Sequence, residues 1–357
     1  MSTQPHSRSL AVSLLAIAVL LVGLAGDVNA KKKDRKKRDA QQDPYAEYVW
    51  PPPPDEARVK LERVILGRID VEARSRFRRK LLGTAQQNPY DYLNKPFAVD
   101  WDAEGRLLVT DSAAGALIRY DLDGRRMDVF GTRGAQRLRT PLGLDVGSDG
   151  RIYVADAGTK KVTAFDADGK IVAVYGKQGE LVNPTDAALS PDGSRLFVAD
   201  SKAQEIVVFD IAGEKLSSFG GPGQGEGEFA FPTSLVFDAE GNLYVVDQIN
   251  CRVQVFAGDG EYLDQLGQQG VGFANFARPK DVAVDEAGYI YVTDNAYNNV
   301  QLFDADFSLL TFIGEGGDGP GRFLGASGIA VHGDRFAVVD QLGRRLQVFR
   351  FLDGKTR

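Results

Sequence analysis

The residue types that most often carry catalysis are scarce in this chain of 357 residues, which contains two histidines and one cysteine. Zinc sites draw mainly on histidine and cysteine, so His6, His332 and Cys251 cannot assemble a histidine-rich centre. A single cysteine also excludes an intrachain disulfide and a Cys-x-x-Cys-His haem attachment site. No G-x-S-x-G motif or obvious pair of nucleophile and base is present. Carboxylates are therefore the main chemical resource of the chain.

Four aspartates interrupt short apolar segments at positions where the corresponding segments carry small residues. They are Asp100, Asp145, Asp186 and Asp281, the last preceded by Lys280. If these segments line a central channel, the carboxylates lie near its mouth and could bind a cation or receive a basic partner segment. The alternative is a set of polar groups, solvated or bonded to backbone, around a water-filled channel.

A second set of aspartates closes a strand-like segment at intervals of 45, 44, 47, 47 and 46 residues. Six equivalent positions indicate a shared structural duty, because a short carboxylate can accept hydrogen bonds from loop amides where a strand stops. We interpret this set as structural rather than catalytic: Asp111, Asp156, Asp200, Asp247, Asp294 and Asp340.

These aspartates belong to a repeat whose clearest copy spans Phe229 to Phe256. Apolar residues alternate through three short segments separated by turns, and a fourth segment runs from Tyr262 to Leu266, as expected for four antiparallel strands. Six copies at this period indicate a β-propeller. The glycine-rich segments that begin at Gly220, Gly267 and Gly314 lack a Gly-Lys-Ser/Thr run, so we interpret them as blade crossings rather than phosphate loops.

The pattern P-x-x-(V/L)-x-x-D-x-x-G-x-(L/I)-Y-V-x-D, followed by x-V-x-(V/L)-F, resembles the NHL repeat. The best copies are Pro232 to Phe256 and Pro279 to Phe303. The resemblance covers about residues 95 to 351 and implies a six-bladed propeller. The stretch Trp50 to Pro54, leading to Val64 to Ile69, also resembles the start of exported bacterial NHL-propeller proteins.

The predicted fold class is all-β: six four-stranded antiparallel blades, an N-terminal strand that closes the last blade, and one short basic amphipathic helix. Blade six lacks a fourth strand at its end, and Val64 to Ile69 is the available partner, which would remove two exposed sheet edges. The helix is predicted over Glu72 to Ala85. The expected domains are a signal peptide (1–30), a basic then proline-rich tether (31–58), the closing strand and helix (59–94), and the propeller (95–354).

Residues 10 to 26 form an apolar run that follows Arg8 and precedes Val28-Asn29-Ala30, a pattern typical of a secretory signal peptide. The basic block from Lys31 to Arg38 opposes easy export, so an uncleaved anchor is the alternative. We expect a periplasmic or extracellular protein. Segments 31–38 and 72–85 could make weak contact with a membrane surface.

Charge is unevenly placed: residues 1–88 carry a net charge of +7 and residues 89–357 carry −13. An acidic propeller is a poor nucleic-acid binder, which disfavours a cytoplasmic RNA-binding NHL module.

The predicted function is non-catalytic: an exported scaffold or sensor module that binds a protein or peptide partner in the cell envelope, as a monomer and without a cofactor. The face with the loops between second and third strands is the expected docking face. The alternative is a calcium-dependent, lactonase-like hydrolase that uses the channel carboxylates. The candidate binding residues are Asn250, Arg252, Lys280, Tyr297, Asn298, Arg344 and Arg345.

Overall fold

The computed structural model describes residues 43–52, 55–72, 89–272 and 274–352 of the chain. Residues 43–47 form a turn in a separate N-terminal unit, Met1–Glu47. Nearly all regular structure in the second unit, Tyr48–Arg357, is β-strand, and the helix it shows is one turn long, Arg68–Val71. No helix within the described ranges is long and apolar enough to span a membrane.

Six antiparallel sheets form the blades, and each blade runs outward from its first strand. Blade 1 contains β3 (Pro96–Trp101), β4 (Leu107–Asp111), β5 (Ala116–Asp121) and β6 (Arg126–Phe130). Blade 2 contains β7 (Pro141–Val146), β8 (Ile152–Asp156), β9 (Lys161–Phe165) and β10 (Ile171–Tyr175). Blade 3 contains β11 (Pro184–Leu189), β12 (Arg195–Asp200), β13 (Glu205–Asp210) and β14 (Lys215–Gly220).

The second half of the ring repeats this order. Blade 4 contains β15 (Pro232–Phe237), β16 (Leu243–Asp247), β17 (Arg252–Phe256) and β18 (Tyr262–Leu266). Blade 5 contains β19 (Pro279–Val284), β20 (Ile290–Asp294), β21 (Asn299–Phe303) and β22 (Leu309–Ile313). Blade 6 contains β23 (Ala326–His332), β24 (Arg335–Asp340), β25 (Arg345–Phe351), β2 (Val59–Ile65) and β1 (Val49–Trp50). The predicted six-bladed propeller is confirmed.

The ring closes through the N-terminal strand, as predicted, but with different boundaries. Strand β2 pairs antiparallel with β25, from Val59 opposite Phe351 to Ile65 opposite Leu346. The predicted strand, Val64 to Ile69, was placed too late, because the chain leaves the sheet after Ile65 and turns into the one-turn helix. Strand β1 lies within the segment predicted as a solvated tether, and it pairs with β2 as a fifth strand. The end of that segment is therefore part of blade 6.

Three predicted segments lie largely outside the described residues. The signal peptide and the basic block of residues 31–38 are not described. Of the predicted amphipathic helix, Glu72 alone is described, just after the one-turn helix.

The hydrophobic core lies between neighbouring blades, because a four-stranded sheet has two faces and each must be covered by the next copy. The aromatic residue that ends the third strand anchors each layer. Phe256 packs against Phe219, Phe229 and Tyr262 with ring centroids 5.2, 5.6 and 6.0 Å away. Burying one such side chain stabilises the fold by about 1.5–3 kcal/mol.

The predicted role of the blade-crossing glycines is confirmed. Gly267 directly follows β18 and has a φ of 78°, which L side chains rarely adopt. A Cβ on this residue would lie 2.3 Å from the ring of Phe276, which is fully buried at the end of the crossing. Glycine therefore permits both the turn and the close approach of the anchoring phenylalanine.

The strand order fixes two faces. Successive strands alternate in direction, so the loops between second and third strands share one face with the blade crossings, and we call it the crossing face. The turns between first and second strands and between third and fourth strands lie on the opposite face, the turn face.

Candidate functional site

The channel carboxylates link neighbouring inner strands. Asp100 accepts a hydrogen bond from the Val146 amide in blade 2 at 2.8 Å, and Asp145 accepts one from the Leu189 amide in blade 3 at 2.9 Å. In both pairs the carboxylate satisfies a backbone donor of the next blade. These two aspartates therefore connect the inner strands of blades 1, 2 and 3 by hydrogen bonds.

Two further channel aspartates, Asp186 and Asp281, link neighbouring blades in the same way. Asp186 accepts from the Leu235 amide in blade 4 at 3.1 Å, and Asp281 accepts from the Ile329 amide in blade 6 at 2.8 Å. The hydroxyl of Ser234 in blade 4 also donates to Asp281. The prediction left two interpretations of these residues open, and the geometry favours polar groups bonded to backbone.

Burial dominates the electrostatics of this cluster. Desolvation, followed by the charge of Asp145, raises the pKa of Asp100 to about 8. Desolvation also raises the pKa of Asp145 and of Asp281 to about 6, and it raises the pKa of Asp186 well above its usual range. The amides that donate to the carboxylates oppose these shifts without cancelling them.

The axial cavity is narrow. It is lined by residues that include Lys280, Asp186 and Asp281. Its volume is about 10 Å³, enough for about one water molecule. Known small-molecule sites span about 300–1,000 Å³. Within the described ranges, no group of three or more His, Cys, Asp or Glu side chains is arranged to hold a metal ion. This cavity cannot admit an organic substrate.

The repeat aspartates have the predicted structural role. Asp294 is fully buried and accepts from the amides of Ala277, Arg278, Ala296 and Tyr297. The other five are equally buried, and each bonds to the segment before its first strand and to the loop after its second strand. Each aspartate therefore ties the blade crossing to the loop after the second strand.

Two candidate binding residues are part of this scaffold. Arg252 is 6% exposed, pairs with Asp247 at 3.0 Å and donates to the carbonyls of Gly225 and Glu228. Arg345 is 7% exposed and pairs with Asp340 at 2.9 Å. The expectation that these arginines reach a partner does not fit their positions, because their guanidinium groups hold the blade crossings from inside.

Of the other candidates on the crossing face, some bond to the backbone of neighbouring loops and one is exposed. Asn250 donates to the Gly223 carbonyl at 2.9 Å, and the Tyr297 hydroxyl donates to the Gly270 carbonyl. Asn298 has a φ of 54°, and its buried Oδ1 lacks a hydrogen-bond partner among the described residues. Arg344, whose φ is 53°, is exposed. Of these four, Arg344 alone offers an exposed charge.

A group of three cations lies at the channel mouth on the crossing face, and we call Lys95, Arg278 and Lys280 the cationic triad. Lys280 lines the axial cavity, and its pKa is lowered first by desolvation and then by the charges of Arg278 and Lys95. Lys95 and Arg278 are exposed. None of the three side chains forms a hydrogen bond or ion pair within the described part of the chain.

Lys280 was predicted as a binding residue from the sequence, whereas Lys95 and Arg278 were not. Lys95 and Arg278 each directly precede the proline that begins an inner strand, Pro96 or Pro279. This position places a residue beside the axis in any blade, so it was a usable signal.

Large apolar side chains are also exposed on the crossing face. Ile249, Val271 and Leu342 are 67%, 97% and 66% exposed. Leu342 lies beside Gly325, since a Cβ on that glycine would be 3.1 Å from the leucine Cγ. Gly325 immediately precedes inner strand β23, so this leucine is close to the channel mouth.

A larger cavity of about 340 Å³ lies on the turn face, at the seam between blades 6 and 1. Several of the charged side chains that line it form ion pairs with one another or with nearby residues. Arg335 bonds Glu62, and Arg106 bonds Asp102 and Glu104. Trp101 also lines it and stacks on His332 with ring centroids 5.7 Å apart. The indole Nε1 is buried without a hydrogen-bond partner in the described structure, so it does not open into this cavity.

Comparison with known families agrees with the repeat. A model of the NHL repeat matches residues 138–165, and a model described as a 6-bladed beta-propeller matches residues 189–250. The chain thus carries an NHL repeat within a six-bladed β-propeller. No curated protein matches its sequence at a significant level.

Solved structures with the same fold carry unrelated activities. A virginiamycin B lyase from Staphylococcus aureus is 15% identical, with 72% of this chain and 80% of that chain covered and a TM-score of 0.53. A gluconolactonase from Xanthomonas campestris is 18% identical, with coverages of 73% and 88% and a TM-score of 0.55. For Kuenenia stuttgartiensis hydrazine synthase the values are 16%, 76%, 98% and 0.54. At this identity the similarity shows the fold alone.

Proposed function

We propose that this propeller is a non-catalytic binding module that docks a protein or peptide segment on its crossing face. The observation that carries the proposal is the joint exposure, on that face, of large apolar side chains and unpaired cations. Ile249, Val271 and Leu342 are largely exposed, and the side chains of the cationic triad form no ion pair within the described residues. An exposed apolar group beside polar residues is typical of an interaction site.

The channel chemistry supports a scaffold rather than an enzyme. A calcium-dependent, lactonase-like activity would need several free oxygen ligands around one point. Instead, Asp100, Asp145, Asp186 and Asp281 accept hydrogen bonds from backbone amides of neighbouring blades. The axial cavity holds about one water molecule, which leaves no room for a lactone beside them.

Export to the cell envelope is part of the proposal and is supported by the sequence alone. The apolar run at residues 10–26 followed by Val28-Asn29-Ala30 favours cleavage after Ala30. Fractionation of the producing cells and N-terminal sequencing test this directly. A mature chain in the envelope that begins at Lys31 is expected, whereas an intact Met1 on a cytoplasmic protein would contradict export.

Site-specific photo-crosslinking in the producing cells tests the docking face. A photoreactive residue replaces Ile249 or Leu342 on the crossing face of the full chain, and Asp168 or Asp306, both exposed on the turn face, serves as the matched control. We expect a single protein adduct of defined mass from the first two positions and none from the controls. Adducts confined to the turn face, or equal adducts from both faces, would contradict the proposal.

Substitution of the exposed apolar residues tests whether a crosslink reports specific docking or only chance proximity. Ile249→Ser with Leu342→Ser removes two exposed apolar groups, and Leu216→Ser removes a 54% exposed leucine from the outer strand β14. The double variant should lose the adduct formed from a third crossing-face position, Val271, while Leu216→Ser retains it. Retention in both would place the contact elsewhere.

A further inference from the structure

We propose that the cationic triad is an anion-recognition site at the channel mouth and that it binds a carboxylate-rich segment of the docked protein. This inference rests on the proposed function and names the chemistry of its partner. The site is built from two blades that flank blade 6: Lys95 precedes β3 in blade 1, and Arg278 and Lys280 belong to the start of β19 in blade 5.

The scaffold holds the triad in place through its backbone. The carboxylate of Asp111 accepts from the Lys95 amide at 3.1 Å, and that of Asp294 accepts from the Arg278 amide at 3.1 Å. The carbonyl of Lys280 accepts from the Thr233 hydroxyl of blade 4 at 3.0 Å. Three cations are therefore held in place by hydrogen bonds made at their backbone atoms, and their charged ends have no partner among the described residues.

Unneutralised like charges are costly in the free protein. The charges of Arg278 and Lys95 lower the pKa of Lys280, which also lies in a partly desolvated position. The carboxylates below do not relieve this repulsion, because Asp281 and Asp186 bond to backbone amides and their own pKa values are raised. An incoming anion would remove the repulsion, and this provides a driving force specific to negative partners.

The shape of the mouth favours a protein segment over a free small anion. The cavity beneath Lys280 holds about one water molecule, so an anion must remain at the rim, where solvent surrounds most of it. Leu342, beside Gly325 in blade 6, lies between the two blades that supply the cations. A shallow charged site next to an exposed leucine suits a chain that places acidic and apolar side chains together.

The net charge of the disc argues against RNA as the partner. Residues 89–357 carry a net charge of −13, so a long polyanion would be repelled beyond the mouth, whereas a short acidic segment meets the triad locally. RNA binding would also call for aromatic side chains on which bases stack. Leu342, which lies beside Gly325 at the mouth, is aliphatic.

Binding of a labelled hexaglutamate peptide to the purified full chain provides the test, with hexalysine and hexauridylate as probes of other chemistry. Arg278→Ser with Lys280→Ser removes two members of the triad. Arg137→Ser with Lys202→Ser is the matched control, because both residues are exposed cations on the crossing face that do not line the axial cavity. The four side chains make no described hydrogen bonds, so both variants should keep the thermal stability of the parent chain.

The expected result is salt-sensitive binding of hexaglutamate that the triad variant weakens by at least about tenfold and the control changes by less than about twofold. Equal weakening by both variants would show a diffuse electrostatic effect and overturn the triad. Absence of hexaglutamate binding at low salt, or tighter triad-dependent binding of hexauridylate, would overturn the assignment to acidic protein segments.

Photo-crosslinking from Leu342 in the triad variant separates this inference from the proposed function. Loss of the adduct supports both. An adduct that persists in the triad variant would support the docking face but contradict the proposed role of the cationic triad. Absence of an adduct in the parent chain would contradict the docking face, whatever the peptide binds.

Discussion

Asp281 of blade 5 accepts a hydrogen bond of 2.8 Å from the backbone amide of Ile329 in blade 6. The two residues lie on adjacent inner strands beside the propeller axis, and the carboxylate supplies an acceptor for an amide of the neighbouring strand. Three other channel aspartates make equivalent bonds. The acidic groups most suggestive of a metal or catalytic site thus hold the inner ring of strands together.

Stability should fall as pH rises through the range in which these carboxylates ionise. The pKa of Asp145 in the folded protein is about 6 and that of Asp100 about 8, against an ordinary value of 3.8. Between these values the folded state binds more protons than the unfolded state, so this contribution is complete below about pH 4 and is lost towards pH 8.

Asp145→Asn tests this relation because the amide oxygen can still accept from Leu189. The variant should be more stable than the parent at pH 8, by on the order of 1–3 kcal/mol, and the difference should shrink towards pH 4. Urea unfolding across this pH range provides the measurement. Asp168→Asn, at an exposed turn position, is the control, and a gain that is independent of pH would contradict the prediction.

Removal of a repeat aspartate should destabilise a whole blade. Asp294→Ala leaves the amides of Ala277, Ala296 and Tyr297 without their acceptor in a buried site. Each unsatisfied amide costs about 1–3 kcal/mol, so we expect a loss of about 3 kcal/mol or more in the free energy of unfolding. In Asp306→Ala, an exposed aspartate changes, and stability should stay within about 0.5 kcal/mol. Similar midpoints for the two variants would refute the structural role.

Arg252 should affect stability far more than its exposed counterpart Arg278. Arg252→Met leaves Asp247 as an uncompensated buried charge, at a cost of about 3–5 kcal/mol. Arg278→Met removes a side chain without a described partner and should change the unfolding free energy little. Chemical denaturation of the two variants measures both losses of stability. A larger loss for Arg278→Met than for Arg252→Met would contradict the structural role of Arg252.

Ring closure should depend on β2. Leu61 of β2 is fully buried, so Leu61→Ala should cost about 2–5 kcal/mol. Val64→Ala, at a half-buried position of the same strand, should cost less. Weakened closure also exposes the edge of β25, so light scattering should show more self-association of the Leu61 variant at moderate denaturant. If Leu61→Ala costs no more than Val64→Ala, closure contributes little to stability.

Local sequence pattern was sufficient for the architecture. A repeat aspartate and a third-strand aromatic residue recur in all six blades, and a glycine follows the fourth strand in blades 1 to 5, because each copy packs against its neighbour in the same way. The burial of Arg252 and Arg345 also left a signal that was not used. Each lies five residues after a repeat aspartate and two before a glutamine, Gln254 or Gln347, and a feature that recurs at the same position in two blades is more often structural than a site unique to one.

The sequence by itself determined the six blades, the role of the repeat aspartates and the presence of a strand that closes the ring. The tertiary structure decided where that strand begins, which arginines are buried, and that Lys95 meets Arg278 and Lys280. The reason is physical: alternation and turn chemistry act over a few residues, whereas the triad joins blades 1 and 5, which become neighbours of blade 6 only when the ring closes. A contact that depends on closure leaves no mark in the local pattern on either side of it.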